Sequence, residues 1–328
     1  MRTTAYIGGL LGLALLLGLV IRADLAALLQ TLALAGWALL WLIPYRALYF
    51  LLYAIGWLDL LRPYDRERRA GLGYLFWVTS VREAIDRLLP VASVGGSVVG
   101  VRLLRWRQLP TAPASASVIV EILLTLCVLY LFTALGLFLL FEFNAAGLDY
   151  RRLLLGFLLS LPAPLAAALL LRYGSVFARL QRLLPPLVGA SALSEGAAAL
   201  DRELRACLSR HGTLLAVSAL QFVAVTSAAF EIWFVLRLCG HPVGAGAALI
   251  LESTTQALRH LAFFVPAGLG VQEAGLVVFG HMLGLGSELA LAVSMAKRMR
   301  EILCGLPPLL SWQWLEGRRL MTRQAAGR

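Results

Sequence analysis

Charge is what this sequence has least of. Asp, Glu, Lys and Arg together make up 14% of its 328 residues against 60% hydrophobic ones, and the mean hydropathy is +0.82. Soluble domains carry about 25% charged residues, so the composition excludes an ordinary soluble enzyme and points to a polytopic membrane protein. Lysine is scarcer still. Lys297 is the only one, and arginine supplies the other basic charges behind a net +11. Those arginines cluster between apolar spans rather than along one soluble face, so they read as orientation signals and not as a nucleic-acid surface.

Metal and redox motifs are missing too. Cys127, Cys207, Cys239 and Cys304 have no CxxC spacing and read as small core residues. His211, His241, His260 and His281 are scattered, with no HxxxH pair for one helix face. There is no DxxD-type pair, nucleophile motif or nucleotide-binding loop. The expectation is a protein with no metal and no cofactor that is not an enzyme.

What the chain does have is long apolar runs. Crossing the hydrocarbon core takes about 20 apolar residues of helix, and candidate spans lie at 4–21, 34–58, 117–141, 152–171, 212–236 and 289–312. The first follows Arg2 like a signal peptide, but no small-residue cleavage site comes after it, and it reads as a retained span. Regions 71–101 and 245–286 are each too long for one crossing. The first is interrupted at Pro90, Gly95 and Gly96, the second at Pro266, Gly268 and Gly270. Proline removes a helix hydrogen bond and glycine leaves the helix easily, so each reads as a broken helical hairpin, fully spanning or re-entrant. The expected fold is an all-α polytopic membrane protein, one integral domain over 1–328 with about eight or more transmembrane helices.

Arginine counts set the expected orientation. Arg62, Arg66, Arg68 and Arg69 mark one cytoplasmic loop; Arg102, Arg105 and Arg107 mark another; Arg172, Arg179, Arg182, Arg202, Arg205 and Arg210 place segment 173–210 on the same side. Within that segment Leu180, Leu183, Leu184 and Leu187, interrupted by Pro185-Pro186, suggest an amphipathic stretch at the membrane surface. Loop 142–149, with Glu142 and Asp149 and no basic residue, suits the outside. Both termini then fall in the cytoplasm. Counted this way, the two broken hairpins enter from opposite faces, the pattern of an inverted repeat around a carrier's central site.

Charges retained inside spans cost roughly 2.5–3.5 kcal/mol each on insertion scales and face a partner or a wet cavity. Arg82 and Asp86 are four apart and can pair, whereas Glu83 has no obvious local partner, and Arg87 can snorkel to the interface. Glu252, Gln256, Arg259 and His260 share one helix face, which should look into the bundle. Beyond Pro266, a half-helix starting near Gly270 would aim free N–H groups into the membrane, flanked by Gln272 and Glu273. The last span adds Lys297, Arg298, Arg300 and Glu301. Lys297 and Glu301 are four apart, and the basic group could meet a phosphate or pair with Glu273 or Glu252.

The segments REAIDRLLPVASVGGSVVGVRLL, FFVPAGLGVQEAGLVVFG and LALAVSMAKRMREILCGLPPLLSWQWLEG resemble the lysylphosphatidylglycerol synthase transmembrane, or flippase-like, superfamily, most narrowly its hopanoid-biosynthesis-associated branch. The resemblance covers essentially the whole chain and implies a bacterial inner-membrane protein that moves or handles a lipid. It does not extend to the soluble aminoacyl-transferase domain of the bifunctional members, so lysyl transfer is not implied. One departure is Asp86, where the family motif implies Asn.

Three functions are therefore expected in order. The first is a flippase or lipid-handling carrier for a hopanoid or phospholipid, with membrane lipids and possibly lipid-biosynthesis proteins as partners. The second is a membrane-embedded transferase with Glu83, Asp86 or Glu273 as general base. The third is a scaffold for a lipid-biosynthesis complex.

Overall fold

A computed structural model describes residues 36–89, 95–142, 150–177, 179, 190–262, 265 and 268–326. The expected first span at 4–21, the leucines at 180, 183, 184 and 187, and both interrupting prolines, Pro90 and Pro266, lie outside these residues. Among the described residues every regular element is helical. After a 3₁₀ turn at Gly36–Trp41 come α1 (Leu42–Leu61), α2 (Leu72–Leu88), α3 (Gly95–Trp106), α4 (Thr111–Glu142), α5 (Tyr150–Ser160) and α6 (Pro162–Tyr173). There follow α7 (Ala190–Leu208), α8 (His211–Ser227), α9 (Ala229–Leu238), α10 (Ala245–Leu261), α11 (Val271–Met282) and α12 (Ser287–Ala326).

Four stretches are long and apolar enough to cross a membrane: Gly36–Leu61, Thr111–Glu142, Leu155–Tyr173 and His211–Leu238. Each corresponds to a span expected from hydropathy. The span expected at 289–312 is not among them, although α12 covers it with 40 residues. The reason is composition: Lys297, Arg298, Arg300 and Glu301 lie in its first half. Pro307 and Pro308 sit inside α12 and supply no N–H to the carbonyls one turn back, so the helix ladder is interrupted there.

The chain forms two compact units. One comprises Leu51–Leu75 and Gly100–Ser227. Its core is pinned by polar contacts that an apolar interior makes strong: Trp57, fully buried, donates through Nε1 to Ser117 Oγ at 3.1 Å, and Tyr74 donates its hydroxyl to the Leu103 carbonyl at 2.7 Å. Gly56 lets α1 and α8 approach, since a Cβ there would stand 3.2 Å from Val217. Arg210 donates to the Asp59 and Leu60 carbonyls at the end of α1, where helix carbonyls lack internal partners. Asp65 then closes the following turn by accepting from the Arg69 and Ala70 amides. Cys127, expected in the core, is instead exposed on α4. A lipid-facing helix side is as apolar as a buried one, so hydropathy cannot separate the two.

The other unit comprises Met1–Phe50, Phe76–Val99 and Ala228–Arg328, and it holds the bulk of both interrupted regions. In the first region α2 ends at Leu88 and α3 begins at Gly95; in the second α10 ends at Leu261 and α11 begins at Val271. Ile232, Val235 and Leu236 of α9 pack with Ala248 and Leu251 of α10, Leu276 of α11 and Val293 of α12 into one core. The same unit holds a set of buried charges.

Candidate functional site

The polar face of α10 is the natural starting point. Glu252 is 0% exposed, and its carboxylate accepts from Gln256 Nε2 at 2.9 Å, one turn along, and from Lys297 Nζ across on α12. Arg259, a further turn down, is buried and donates to Gln272 Oε1 on α11 and to Glu301 Oε1 at 3.4 Å on α12. His260, placed on the same face by spacing alone, is exposed. It lies one residue further around the helix than Arg259, and a 100° step is enough to carry it off the packed side.

Glycine shapes the entry to α11. Gly268 and Gly270 have φ of +59° and +74°, values that residues with a Cβ rarely adopt. The resulting turn presents the Gly268 carbonyl to Arg298 Nη2 at 3.0 Å and brings Gly268 against Arg259, whose Nε would stand 3.0 Å from an added Cβ. Gln272 and Glu273 follow in the first turn of α11, both fully buried. Gln272 Nε2 donates to Ser294 Oγ, which donates to Glu273 Oε1, each at 2.9 Å. Arg298 bridges Glu273 and Glu301, at 3.2 Å to each.

The first interrupted region supplies a second group of charges. Glu83 does have a local partner, contrary to the sequence expectation: Arg87 Nε lies 3.0 Å from Glu83 Oε1, and Arg46 of α1 donates to the same oxygen at 2.8 Å. Arg87 sits one turn beyond Glu83 on α2, so pairing competes successfully with snorkelling. Asp86 Oδ1 accepts the Gly96 amide at 2.9 Å and so caps the N-terminus of α3. Gly96 is required by the closeness of α2: a Cβ would fall 2.4 Å from the Arg82 carbonyl oxygen. Gly95 opens α3 beside it, and Arg82 is partly buried on α2.

The two groups meet. Glu83, Arg87, Ser80 and Ala84 of α2, Arg300, Glu301, Cys304 and Gly305 of α12, and Phe50 of α1 line one narrow cleft, with room for about one water molecule. Gly305 admits the close approach, since a Cβ there would lie 2.8 Å from Leu88. Arg300 also stands 3.2 Å from Glu231 of α9. These ion pairs among the described residues join six cationic side chains, Arg46, Arg87, Arg259, Lys297, Arg298 and Arg300, to five carboxylates, Glu83, Glu231, Glu252, Glu273 and Glu301.

Of the residues expected at a site, Arg259, Gln272, Glu273, Arg298 and Glu301 form one bonded network, Glu252, Gln256 and Lys297 form a separate bonded set between the same helices α10 and α12, and Glu83 lines the cleft together with Glu301. Lys297 pairs with Glu252 rather than with Glu301, its helix neighbour. Sequence reasoning missed Arg46, Glu231 and Ser294. The signal for the first two was a lone charge in an apolar run, which marks an intramembrane partner without naming it. Ser294 carries no such signal. Chemically, the site is a desolvated set of ion pairs in which cations and carboxylates nearly balance.

Residues 7–306 match the family model described as lysylphosphatidylglycerol synthase TM region. No curated protein and no solved structure matches significantly. The family match takes in both interrupted regions and the charge network through Glu301. The protein is an all-α, multi-pass membrane protein that belongs to the lysylphosphatidylglycerol synthase transmembrane-region family.

Proposed function

We propose that this protein is a lipid carrier of the bacterial inner membrane, moving a hopanoid or phospholipid between leaflets with its headgroup passing through the charged cleft and its tails left in the bilayer. One observation carries the reading: charges from four helices, α1, α2, α9 and α12, converge at or beside a cleft inside a chain with several apolar spans. Burying so many charges is expensive, and a bundle serving only stability does better with apolar residues of the same volume. A polar headgroup crossing hydrocarbon needs such partners. The first interrupted region lines the cleft and the second reaches it through the Arg259–Glu301 pair; read from the arginine pattern as entering from opposite faces, the two suit alternating access. In its present form the cleft is too small for a headgroup, which fits a closed stage of such a cycle.

The carboxylates suggested as a general base each hold a donor on one oxygen, Glu83 from two arginines, Glu273 from Arg298 and Ser294, and Asp86 from the Gly96 amide, and the arginines beside Glu83 and Glu273 favour their ionised, less basic form. That favours a carrier over a transferase. The test is reconstitution in liposomes with head-labelled phosphatidylglycerol, phosphatidylethanolamine and a labelled hopanoid. Protein-dependent movement of a probe to the opposite leaflet, recovered chemically unchanged, is expected. Recovery of a chemically altered lipid, or bleaching kinetics identical to empty liposomes for all three probes, overturns the reading.

A further inference from the structure

The unit comprising Leu51–Leu75 and Gly100–Ser227 has its own concentration of charge, brought together from three segments far apart in sequence. Arg69, in the turn after α1, donates through Nη1 to Gln108 Oε1, just beyond α3, at 2.8 Å. Arg210, between α7 and α8, donates to the Asp59 and Leu60 carbonyls at the end of α1, at 3.0 and 3.1 Å. The turn after α1, the end of α3 and the α7–α8 junction therefore share one end of this unit. Arg68 and Gln108 have φ of +51° and +62°, a backbone region that side chains with a Cβ adopt only where their surroundings hold them. This end thus has a fixed shape.

Its charge is one-sided. Arg66, Arg68, Arg105, Arg107, Arg202 and Arg205 are all exposed here, and among the described residues none of them forms an ion pair. Arg107 lies over the Tyr74 ring at 4.4 Å, and Arg205 donates to the Asp201 carbonyl at 3.2 Å. The nearby acids are committed elsewhere. Asp65 is buried and accepts from the Arg69 and Ala70 amides, Asp201 is buried and accepts from the Phe177 amide, and Asp59 and Glu67 face Arg62 and Arg69. Glu203 is half-buried on α7.

The same end lies where the apolar spans stop. Gly36–Leu61 ends just before Arg62, Thr111–Glu142 begins one turn after Arg107, and His211–Leu238 begins just after Arg210. At that depth a cation meets lipid headgroups before it meets anything soluble. A guanidinium takes a phosphate through two parallel hydrogen bonds. A zwitterionic headgroup brings a cation of its own, which an arginine face repels, whereas an acidic headgroup brings none.

We infer that this end of the unit is a docking surface for acidic phospholipids of the leaflet it faces, held by their phosphates against arginines of the turn, α3 and α7. Orientation needs only a count of basic residues. Here three segments are bonded into one face whose exposed arginines have no acidic partner, which is what a bound anion requires. The inference is independent of the carrier reading, since a docked lipid stays at the surface and does not cross.

The test uses the full chain in dodecyl maltoside and lipids labelled with a fluorophore on one acyl chain, with binding followed by anisotropy. Phosphatidylglycerol and cardiolipin should bind about tenfold or more tighter than phosphatidylcholine. The difference should shrink in about 1 M salt, where the screening length falls to about 3 Å. A variant combining Arg66→Gln, Arg68→Gln, Arg105→Gln and Arg202→Gln should lose most of the preference while keeping the wild-type circular dichroism and elution profile. A phosphatidylglycerol with a photoactivated diazirine on its headgroup locates the site without any substitution, and its cross-links should fall within 62–69, 102–110 or 202–210. Equal wild-type affinity for phosphatidylglycerol and phosphatidylcholine overturns the inference. So does a preference that survives in the folded variant, or cross-links confined to other segments. Binding of a labelled single-stranded RNA without binding of phosphatidylglycerol overturns it too, and makes the partner a nucleic acid.

Discussion

Replacing Lys297 with methionine removes one buried charge and strands the other. Lys297 is 3% exposed and Glu252 is fully buried, so neither can turn to bulk water. Once the ammonium is gone, Glu252 keeps the Gln256 amide. One neutral hydrogen bond contributes about 0.5–1.5 kcal/mol net, while breaking a buried ion pair from one side costs roughly 3–5 kcal/mol. The retained amide therefore offsets a minor part of the loss, and Lys297→Met should lower stability by about 3 kcal/mol or more. Glu252→Gln in the same background removes the stranded charge and should restore most of it, giving a coupling of about 2–4 kcal/mol across the four-protein cycle. The assay is unfolding in mixed micelles by added dodecyl sulfate, followed by circular dichroism. A coupling below about 0.5 kcal/mol, or a double variant no more stable than Lys297→Met, refutes the claim that the two charges compensate each other in a dry interior.

Further predictions follow from single contacts. Gly96→Ala forces a Cβ against the Arg82 carbonyl, so thermal melting in detergent should show a loss of about 1–3 kcal/mol, whereas Gly73→Ala, with nothing within 4 Å of its Cβ, should be neutral or stabilising. Trp57→Phe leaves the Ser117 hydroxyl without its indole partner and should cost about 1–3 kcal/mol, read by the same melt; an unchanged midpoint argues against that bond. Glu273→Gln keeps the shape of the Ser294 bond but removes the Arg298 ion pair, so the protein should insert normally and move labelled lipid at least tenfold more slowly in liposomes; an undiminished rate removes Glu273 from the site. Glu67→Cys, on an exposed position of the arginine-rich turn, should react with a membrane-impermeant thiol reagent only from the cytoplasmic side, and labelling from outside reverses the topology.

The helices were legible where hydropathy speaks directly. The spans near 34–58, 117–141, 152–171 and 212–236 lie within helices or helix pairs because apolar length alone decides a crossing. The face carrying Glu252, Gln256 and Arg259 was legible because spacings of four and seven residues fix a helix side whatever packs against it. What could not be read is which charge meets which. Lys297 has Glu301 within helix reach but pairs with Glu252, 45 positions away in sequence, and nothing local distinguishes the two carboxylates. Arg46 and Glu231 each stand alone in apolar runs, and only the packing of α1 on α2 and of α9 on α12 joins them to the cluster. Cys127 shows the same limit from the apolar side, since the sequence cannot tell a helix face turned to lipid from one turned to protein.

The burial of the one lysine has a practical consequence. An amine-reactive label or a lysine-specific protease has a single side-chain target in this sequence, and that target is shut inside an ion pair. In the native protein the reagent should find Lys297 only when the Glu252 contact opens. The rate of lysine modification therefore times that opening at one atom, without any engineered probe, and any ligand that holds the network closed should slow it.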